Sequence, residues 1–264
     1  MLAAERRKTI LELIEKQNSI SVGELCRMLG VSDMTVRRDL RILSNSGLLE
    51  RVHGGALARR GRSYEPPFFI REKEYAWQKQ LIGKRAAELV NQGDSIALDV
   101  GTTTLELARC LTNTPNLTIL TASLPIANVL AESPNLRLIL TGGQVRPQEH
   151  SLIGHIAERA YKEFHVDKAF IGVGGLHPEA GLTEYNLEDT LVKRSLITNT
   201  GQVIVLADSS KLGEICLAFV APISAVDILI TDSGASPTVI EQLSAAGVEV
   251  IFADQLSSQK ESDL

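Results

Sequence analysis

The apolar positions of this chain change period about a quarter of the way along it. Over the first sixty residues they recur at helical spacing. Ile10, Leu13 and Ile14 share one face of a segment whose other faces carry Arg6, Arg7, Lys8, Glu12 and Glu15, the pattern of an amphipathic helix. Ser21-Val22-Gly23-Glu24 has the spacing of a capping box and predicts a short second helix with Leu25, Met28 and Leu29 inward. Gly30 breaks it, and Ser32 caps a third helix whose inner stripe is Val36, Leu40 and Leu43. Two short helices around a glycine turn make a helix-turn-helix over about residues 20–39. After Gly47 the run LLERVHGGAL predicts a hairpin that turns at His53-Gly54-Gly55, the paired glycines supplying positive φ.

Beyond a Pro-containing, charged linker at 59–75, a helix is predicted around Gln78 to Val90 and the pattern becomes one of apolar runs. These are SIALDV (95–100), LTILTA (117–122), LRLIL (136–140), KAFIGV (168–173), QVIVLA (202–207), DILIT (227–231) and VEVIF (248–252). Most of the gaps hold a helical segment, such as LELARCL at 105–111 and LPIANVLA at 124–131. Nearly continuous apolar strands alternating with helices predict an α/β domain with a mostly parallel sheet covered on both faces. The expected organisation is a winged helix-turn-helix head at 1–58, the linker, an α/β body at 76–253 and a flexible tail at 254–264.

Composition narrows the function classes. A chain of 264 residues that is 44% apolar and 22% charged is a globular protein of one or two domains, and wholesale disorder is excluded. No apolar run approaches the roughly 20 residues of a membrane helix, and the N-terminus lacks an apolar signal core. Cys26, Cys110 and Cys216 are too few and too scattered for a disulfide framework or a metal knuckle, and the five histidines have no ligand spacing. No metal and no cofactor is expected, and a reducing cytoplasm is the expected compartment. The net charge of −5 hides a division along the chain. Residues 1–62 hold twelve Lys and Arg against seven Asp and Glu, whereas the rest holds fifteen against twenty-five. A basic head on an acidic body suggests separate partners, with a polyanion for the head; a solvated charged surface is the alternative.

The third helix favours the polyanion. Met34, Arg38 and Arg41 lie nearly opposite its core stripe, with Thr35 and Arg37 at the flanks. Guanidinium groups on such a face suit the major groove of DNA, where arginine reads guanine or clamps a phosphate, and Ser32 and Thr35 reach phosphates near the helix start. An ordinary arginine-rich surface helix is the competing reading. The hairpin forms a wing, with Arg51, His53 and Gly54 placed to meet the DNA backbone, and Arg59, Arg60 and Arg62 follow in the linker. The stretch VSDMTVRRDLRILSNSGLLERVHGGA resembles the DNA-binding head of the DeoR family of bacterial transcription regulators, through Thr35-Val36-Arg37-Arg38-Asp39-Leu40 and the H-G-G turn. Asp39 interrupts the basic run, and orienting an arginine or a backbone group is its expected role.

In the body, ligands of a parallel sheet gather beyond the carboxyl ends of its strands. The first strand ends in Asp99-Val100-Gly101-Thr102-Thr103-Thr104 and runs into a helix. Amides, hydroxyls and the positive end of the helix dipole there suit a phosphate, with Asp99 an acceptor for sugar hydroxyls; simple helix capping by the threonines is the alternative. Thr121 and Ser123, Gly142 and Gly143 with Arg146, Gly175, Glu184 and Lys211 occupy later strand ends or the loops after them, where Lys211 is a point charge for a phosphate. The order D-x-G-T-T-T, T-G-G, G-L-T-E, D-S-S-K is similar to the sensor domain of the same family, whose fold resembles sugar-phosphate isomerases; Ala122 stands where the family pattern has Asn. The resemblance implies a DNA-binding repressor of a carbohydrate-utilisation operon, a homo-oligomer released from operator DNA by a phosphorylated sugar, and no enzyme. The rival is an isomerase-like enzyme with an added head, using Asp99, Glu184 and Lys211 as acid–base groups.

Overall fold

The computed structural model describes residues 1–59 and 61–254. Arg60, and residues 255–264 of the expected tail, lie outside the described residues. The chain divides into two compact units, Met1–Ile70 and Arg71 onward.

The first unit runs α1 (Ala3–Gln17), β1 (Ser19–Ser21), α2 (Val22–Leu29), α3 (Asp33–Asn45), β2 (Leu49–Val52) and β3 (Gly55–Ala58). Its helix ends follow the local chemistry. The Ser21 hydroxyl accepts from the Glu24 amide while the Glu24 carboxylate accepts from the Ser21 amide, which satisfies two otherwise unpaired donors. Gly30, at φ 65°, closes α2, and the Ser32 hydroxyl accepts from the Thr35 amide. Ile10, Ile14, Leu25, Val36 and Leu40 are buried together as the core. Three details differ from expectation. Met28, expected inward, is exposed, and Val22 joins Leu25 on the buried face of α2 instead. A third strand, β1, pairs antiparallel with β3, giving the order β1-β3-β2; three residues are too few to show alternation. Of the paired glycines only Gly54, at φ 92°, needs positive φ. Gly55 is required for a different reason: a Cβ there would lie 2.3 Å from the Ile20 carbonyl oxygen. The segment read as linker carries structure as well. Tyr64 is buried and donates to the Glu15 carboxylate, and Ile70, within the short helix α4 (Phe68–Arg71), is buried in the core of this unit.

The second unit opens with α5 (Ala76–Ala87), β4 (Ser95–Leu98), α6 (Thr102–Leu111), β5 (Leu117–Thr121), α7 (Leu124–Leu130) and β6 (Leu136–Leu140). A hairpin of β7 (Gln144–Arg146) and β8 (Ser151–Ile153) follows, then α8 (His155–Lys162) and β9 (Val166–Ile171). β10 (Gly175–His177), β11 (Gly181–Glu184), α9 (Leu187–Thr198) and β12 (Thr200–Leu206) come next, and one 3-10 turn at Ser209–Lys211. The unit closes with β13 (Ala218–Ala221), β14 (Ile228–Thr231), α10 (Pro237–Ala245) and β15 (Glu249–Phe252). All seven apolar runs are strands of one parallel sheet ordered β15-β14-β12-β9-β4-β5-β6. Its centre explains their composition: Ile96, Ala97, Leu98, Ala169, Phe170, Ile171, Leu229 and Ile230 are all fully buried, whereas Leu140 on the edge strand β6 is exposed. The β7–β8 hairpin and an antiparallel sheet β10-β11-β13 are additions that the period of the apolar runs does not announce.

The strand order places the site. From β4 the chain winds outward through β5 and β6, then returns to the other side of β4 with β9 and continues through β12, β14 and β15. The connections leaving β4 and β9 therefore diverge, which makes their carboxyl ends the switch point of the sheet, where open α/β sheets form the crevice that takes their ligands. Among the described residues no helix is long and apolar enough to cross a membrane.

Candidate functional site

In the first unit, α3 presents the residues that the sequence singled out. Its buried stripe is Val36, Asp39, Leu40 and Leu43, and Met34, Arg37, Arg38 and Arg41 are exposed. Met34, at 81% exposure, is an apolar side chain left in water on the arginine face. The guanidinium groups are not all bare. Arg37 forks onto Asp33 one turn earlier, with Nε 2.5 Å from Oδ1 and Nη2 3.2 Å from Oδ2. That contact raises the Arg37 pKa. Arg38 and Arg41 make no ion pair among the described residues. Asp39 is buried where α3 meets α1, and accepts from Arg6 Nε of α1 at 2.6 Å. It thus ties the third helix to the first, and the acidic residue within the basic run is a packing contact. The Ser32 hydroxyl is 2.9 Å from that of Thr35. A cleft of about 310 Å³ runs along this side, between Arg6 and Arg7 of α1 and Met34, Thr35 and Arg38 of α3. Arg51, His53 and Gly54 are exposed at the β2–β3 turn.

In the second unit, the crevice between β4 and β9 holds a buried ionic cluster. Asp99, just past the end of β4, accepts from the Gly172 amide at 3.1 Å, which locks the two diverging strand ends together. Lys193 of α9 sits between Asp99 Oδ2, at 2.8 Å, and Glu184 Oε1, at 2.5 Å, and also donates to the Gly172 carbonyl. It is 1% exposed. Burial pushes the Asp99 carboxyl up to about 6 even with Lys193 beside it. Burial opposes the Lys193 charge too, yet Asp99 and Glu184 outweigh it and hold the ammonium above its ordinary range.

Gly101 follows at φ 145°, a conformation that favours glycine, and forms the N-cap of α6 with no side-chain cap. The threonines do not cap. Thr102, Thr103 and Thr104 are buried, and the Thr104 hydroxyl donates back to the Gly101 carbonyl at 3.1 Å. Their amides head an uncapped ten-residue helix at the crevice, a place where a helix offers donors and positive potential to an anion.

The other sequence-predicted residues divide into two groups. Thr121 and Ser123 are buried and committed to the fold: the Thr121 hydroxyl donates to the Leu98 carbonyl at 2.7 Å, and Ser123 caps α7. Gly143 allows a close approach, since a Cβ would lie 2.6 Å from the Ile153 carbonyl oxygen, and Gly142 takes φ 74°. Gly175 is packed against the Glu214 carbonyl, 2.4 Å from where a Cβ would stand. Arg146 and Lys211 retain part of their exposure. Arg146 pairs with Asp189 of α9 at 2.5 Å, and Asp189 also accepts from Ser151 at 2.9 Å and Asn186 at 3.0 Å. Lys211 Nζ lies 3.4 Å from the Tyr185 hydroxyl.

Lys193, Asp189 and Lys79 are polar centres that sequence reasoning missed. Their signal is a charged residue where the helical period asks for an apolar one: Asp189 and Lys193 share the buried face of α9 with Val192 and Leu196. Lys79 is buried on α5, where its ammonium donates to the Glu74 carbonyl at 2.7 Å and to the Arg71 carbonyl and stands 3.9 Å from Asp208. Burial brings its pKa down to about 8.

A winged helix-turn-helix with an arginine face, joined in one chain to a doubly wound α/β unit with a polar crevice, has the make-up of a transcription regulator. Comparison with known proteins agrees. Residues 6–60 match the DeoR-like helix-turn-helix domain, and residues 74–233 match the DeoR C terminal sensor domain. The HTH-type transcriptional regulator GolR of Listeria innocua is 35% identical over 96% of this chain and all of its own length. The glycerol-3-phosphate regulon repressor of Escherichia coli K12 is 32% identical, over 92% of this chain and 96% of that protein. The putative aga operon transcriptional repressor of Escherichia coli O157:H7 is 33% identical, over 96% and 94%. Among solved structures, the full-length sorbitol operon regulator SorC of Klebsiella pneumoniae aligns over 90% of this chain and 98% of its own, with 14% identity and a TM-score of 0.42. The chain belongs to the DeoR family of transcription regulators.

Proposed function

We propose that this protein is a cytoplasmic repressor of a carbohydrate-utilisation operon, released from operator DNA by a phosphorylated sugar. The observation that carries the reading is the crevice at the sheet's switch point. There an uncapped helix N-terminus suited to a phosphate adjoins the Asp99–Lys193–Glu184 cluster, whose carboxylates suit sugar hydroxyls. Two of the relatives named above bear the name of a repressor, one of a glycerol-3-phosphate regulon and one of an aga operon. In this reading the amides of Thr102 and Thr103 and the Lys211 ammonium hold the phosphate. Asp99 receives sugar hydroxyls, and Arg146 closes the far side. Thr121, Ser123, Gly142, Gly143 and Gly175 shape the rim without touching the ligand.

The DNA face consists of Ser32, Met34, Thr35, Arg37, Arg38 and Arg41 on α3, and Arg51, His53 and Gly54 on the wing. Arg38 and Arg41 are the base or phosphate contacts available without breaking an internal pair. One winged helix offers few base contacts, so specificity requires paired heads in a homo-oligomer on repeated half-sites.

The isomerase reading has one observation in its favour: Asp99, with its pKa pushed up to about 6 and Lys193 and Glu184 beside it, is a set suited to acid–base work. Lys193 pairs with one oxygen of each carboxylate, Asp99 Oδ2 and Glu184 Oε1, and holds both groups in place, which fits binding better. Thermal shift against phosphorylated three- to six-carbon sugars tests the proposal, since a ligand of the native state alone raises the melting temperature. A sugar phosphate that raises Tm and releases DNA from the wild type should do neither to Lys211→Ala, whose DNA affinity stays intact. Turnover of a sugar phosphate by the purified chain would support the enzyme instead.

A further inference from the structure

The chain that leaves the first unit is fastened to two loops of the sensor rim. Ile70 is buried in the core of the first unit, and the next residue, Arg71, belongs to the second. The Arg71 guanidinium pairs with Glu149, and the two side chains are only 14% and 8% exposed. Glu149 lies in the turn between β7 and β8, whose strands bring Arg146 and Ser151 onto Asp189. The second fastening is Lys79. Its buried ammonium gathers the carbonyls of Arg71 and Glu74 and faces the Asp208 carboxylate at 3.9 Å. Asp208 in turn caps the turn that carries Lys211, accepting from the Ser210 amide at 3.1 Å and the Ser210 hydroxyl at 2.5 Å. Segment 71–74 is thus gripped from one side by the loop of Arg146 and from the other by the loop of Lys211.

We propose that Glu149 and Lys79 are positioning residues that transmit the state of the sensor rim to the segment entering the DNA-binding head. This rests on the sugar-phosphate reading above. When a phosphate draws on Lys211 and Arg146, the loops on which Asp208 and Glu149 sit must adjust. Arg71 and the backbone of 71–74 follow, because a buried ammonium and a buried guanidinium cannot give up their partners without a large desolvation penalty. Neither Glu149 nor Lys79 touches the ligand or the DNA. Their contribution is to the coupling free energy between the two sites.

The test uses the full-length chain, a duplex that it selects from a random pool, and an equimolar cocktail of glycerol 3-phosphate, ribose 5-phosphate and fructose 6-phosphate. For the wild type, the cocktail should raise Tm and weaken duplex binding by roughly 5- to 150-fold, the usual range of allosteric coupling. Glu149→Gln and Lys79→Met are each expected to keep the Tm rise and the basal duplex affinity while the cocktail weakens binding by less than about twofold, below that range. Hydrogen exchange of the amides at 71–79 in the wild type should change on adding the cocktail. If both variants release the duplex as the wild type does, the proposal is overturned and the sugar-phosphate reading stands. If the wild type shows neither a Tm rise nor release, that reading falls and takes this one with it. Should Lys79→Met fail to fold, Glu149→Gln and the exchange measurement decide alone, and unchanged exchange with unchanged release refutes the coupling.

Discussion

Lys193 is the side chain on which the sensor crevice most depends, and replacing it with methionine isolates its charge. Methionine keeps most of the length and apolar stem but removes the ammonium that faces Asp99 at 2.8 Å and Glu184 at 2.5 Å. Lys193 is 1% exposed and Asp99 and Glu184 are buried as well, so little solvent reaches the carboxylates left behind. Removing one partner of a buried ion pair costs about 3–5 kcal/mol. For a unit of this size that corresponds to a fall in Tm of about 6–20 °C at pH 7.5. The pH dependence supplies a second signature. Burial already holds the folded pKa of Asp99 above its ordinary value, so the ionised form is a liability that is fully present above the folded pKa and relieved as pH falls through it. Without the ammonium that liability grows, and Lys193→Met should regain much of the lost Tm between pH 7.5 and pH 5. Adding Asp99→Asn should recover part of the loss at pH 7.5. Calorimetry of the wild type, Lys193→Met and the double variant across that pH range is the assay. A Lys193→Met protein melting within about 2 °C of the wild type at pH 7.5, a difference worth no more than about 1 kcal/mol, would refute the buried-cluster reasoning.

Four further outcomes follow from the geometry. Arg38→Ala should weaken binding to a selected duplex by about 1–3 kcal/mol in a mobility-shift titration, whereas Asp33→Ala frees the Arg37 fork and should tighten binding and steepen the salt slope by about 1. Gly55→Ala forces a Cβ against the Ile20 carbonyl oxygen and is expected to destabilise the head by about 1–3 kcal/mol, seen as early loss of DNA binding with the sensor transition unmoved. Metabolite affinity measured by calorimetry should fall as pH drops from 7.5 to 5, because the acceptor Asp99, with a pKa near 6, becomes protonated; affinity unchanged over that interval would remove Asp99 from the contact set.

What could be read from the chain alone is local or periodic. The capping box at Ser21, the Ser32 cap, the Gly30 stop and the arginine face of α3 depend on residues within a few positions of one another, so spacing suffices. Continuous apolar runs likewise announced seven strands of one sheet, of which the central ones are buried on both faces. Spacing is silent where a contact joins distant residues. Asp39 found Arg6 thirty-three positions away, and Gly55 proved necessary because β1 passes against it.

The sensor site shows the same boundary more sharply. The Asp99-Val100-Gly101 turn was visible because strand, turn and helix are consecutive in the chain. That β9 rather than another strand lies beside β4 was not, and the crevice exists only through that neighbour relation. Lys193 then enters from α9, ninety-four positions after Asp99, and turns a local strand–turn–helix motif into a buried ionic cluster. Side-chain period and caps are short-range properties that a sequence carries in itself. Strand order and buried ion pairs arise from which distant segments exclude water together, and only the folded chain decides that.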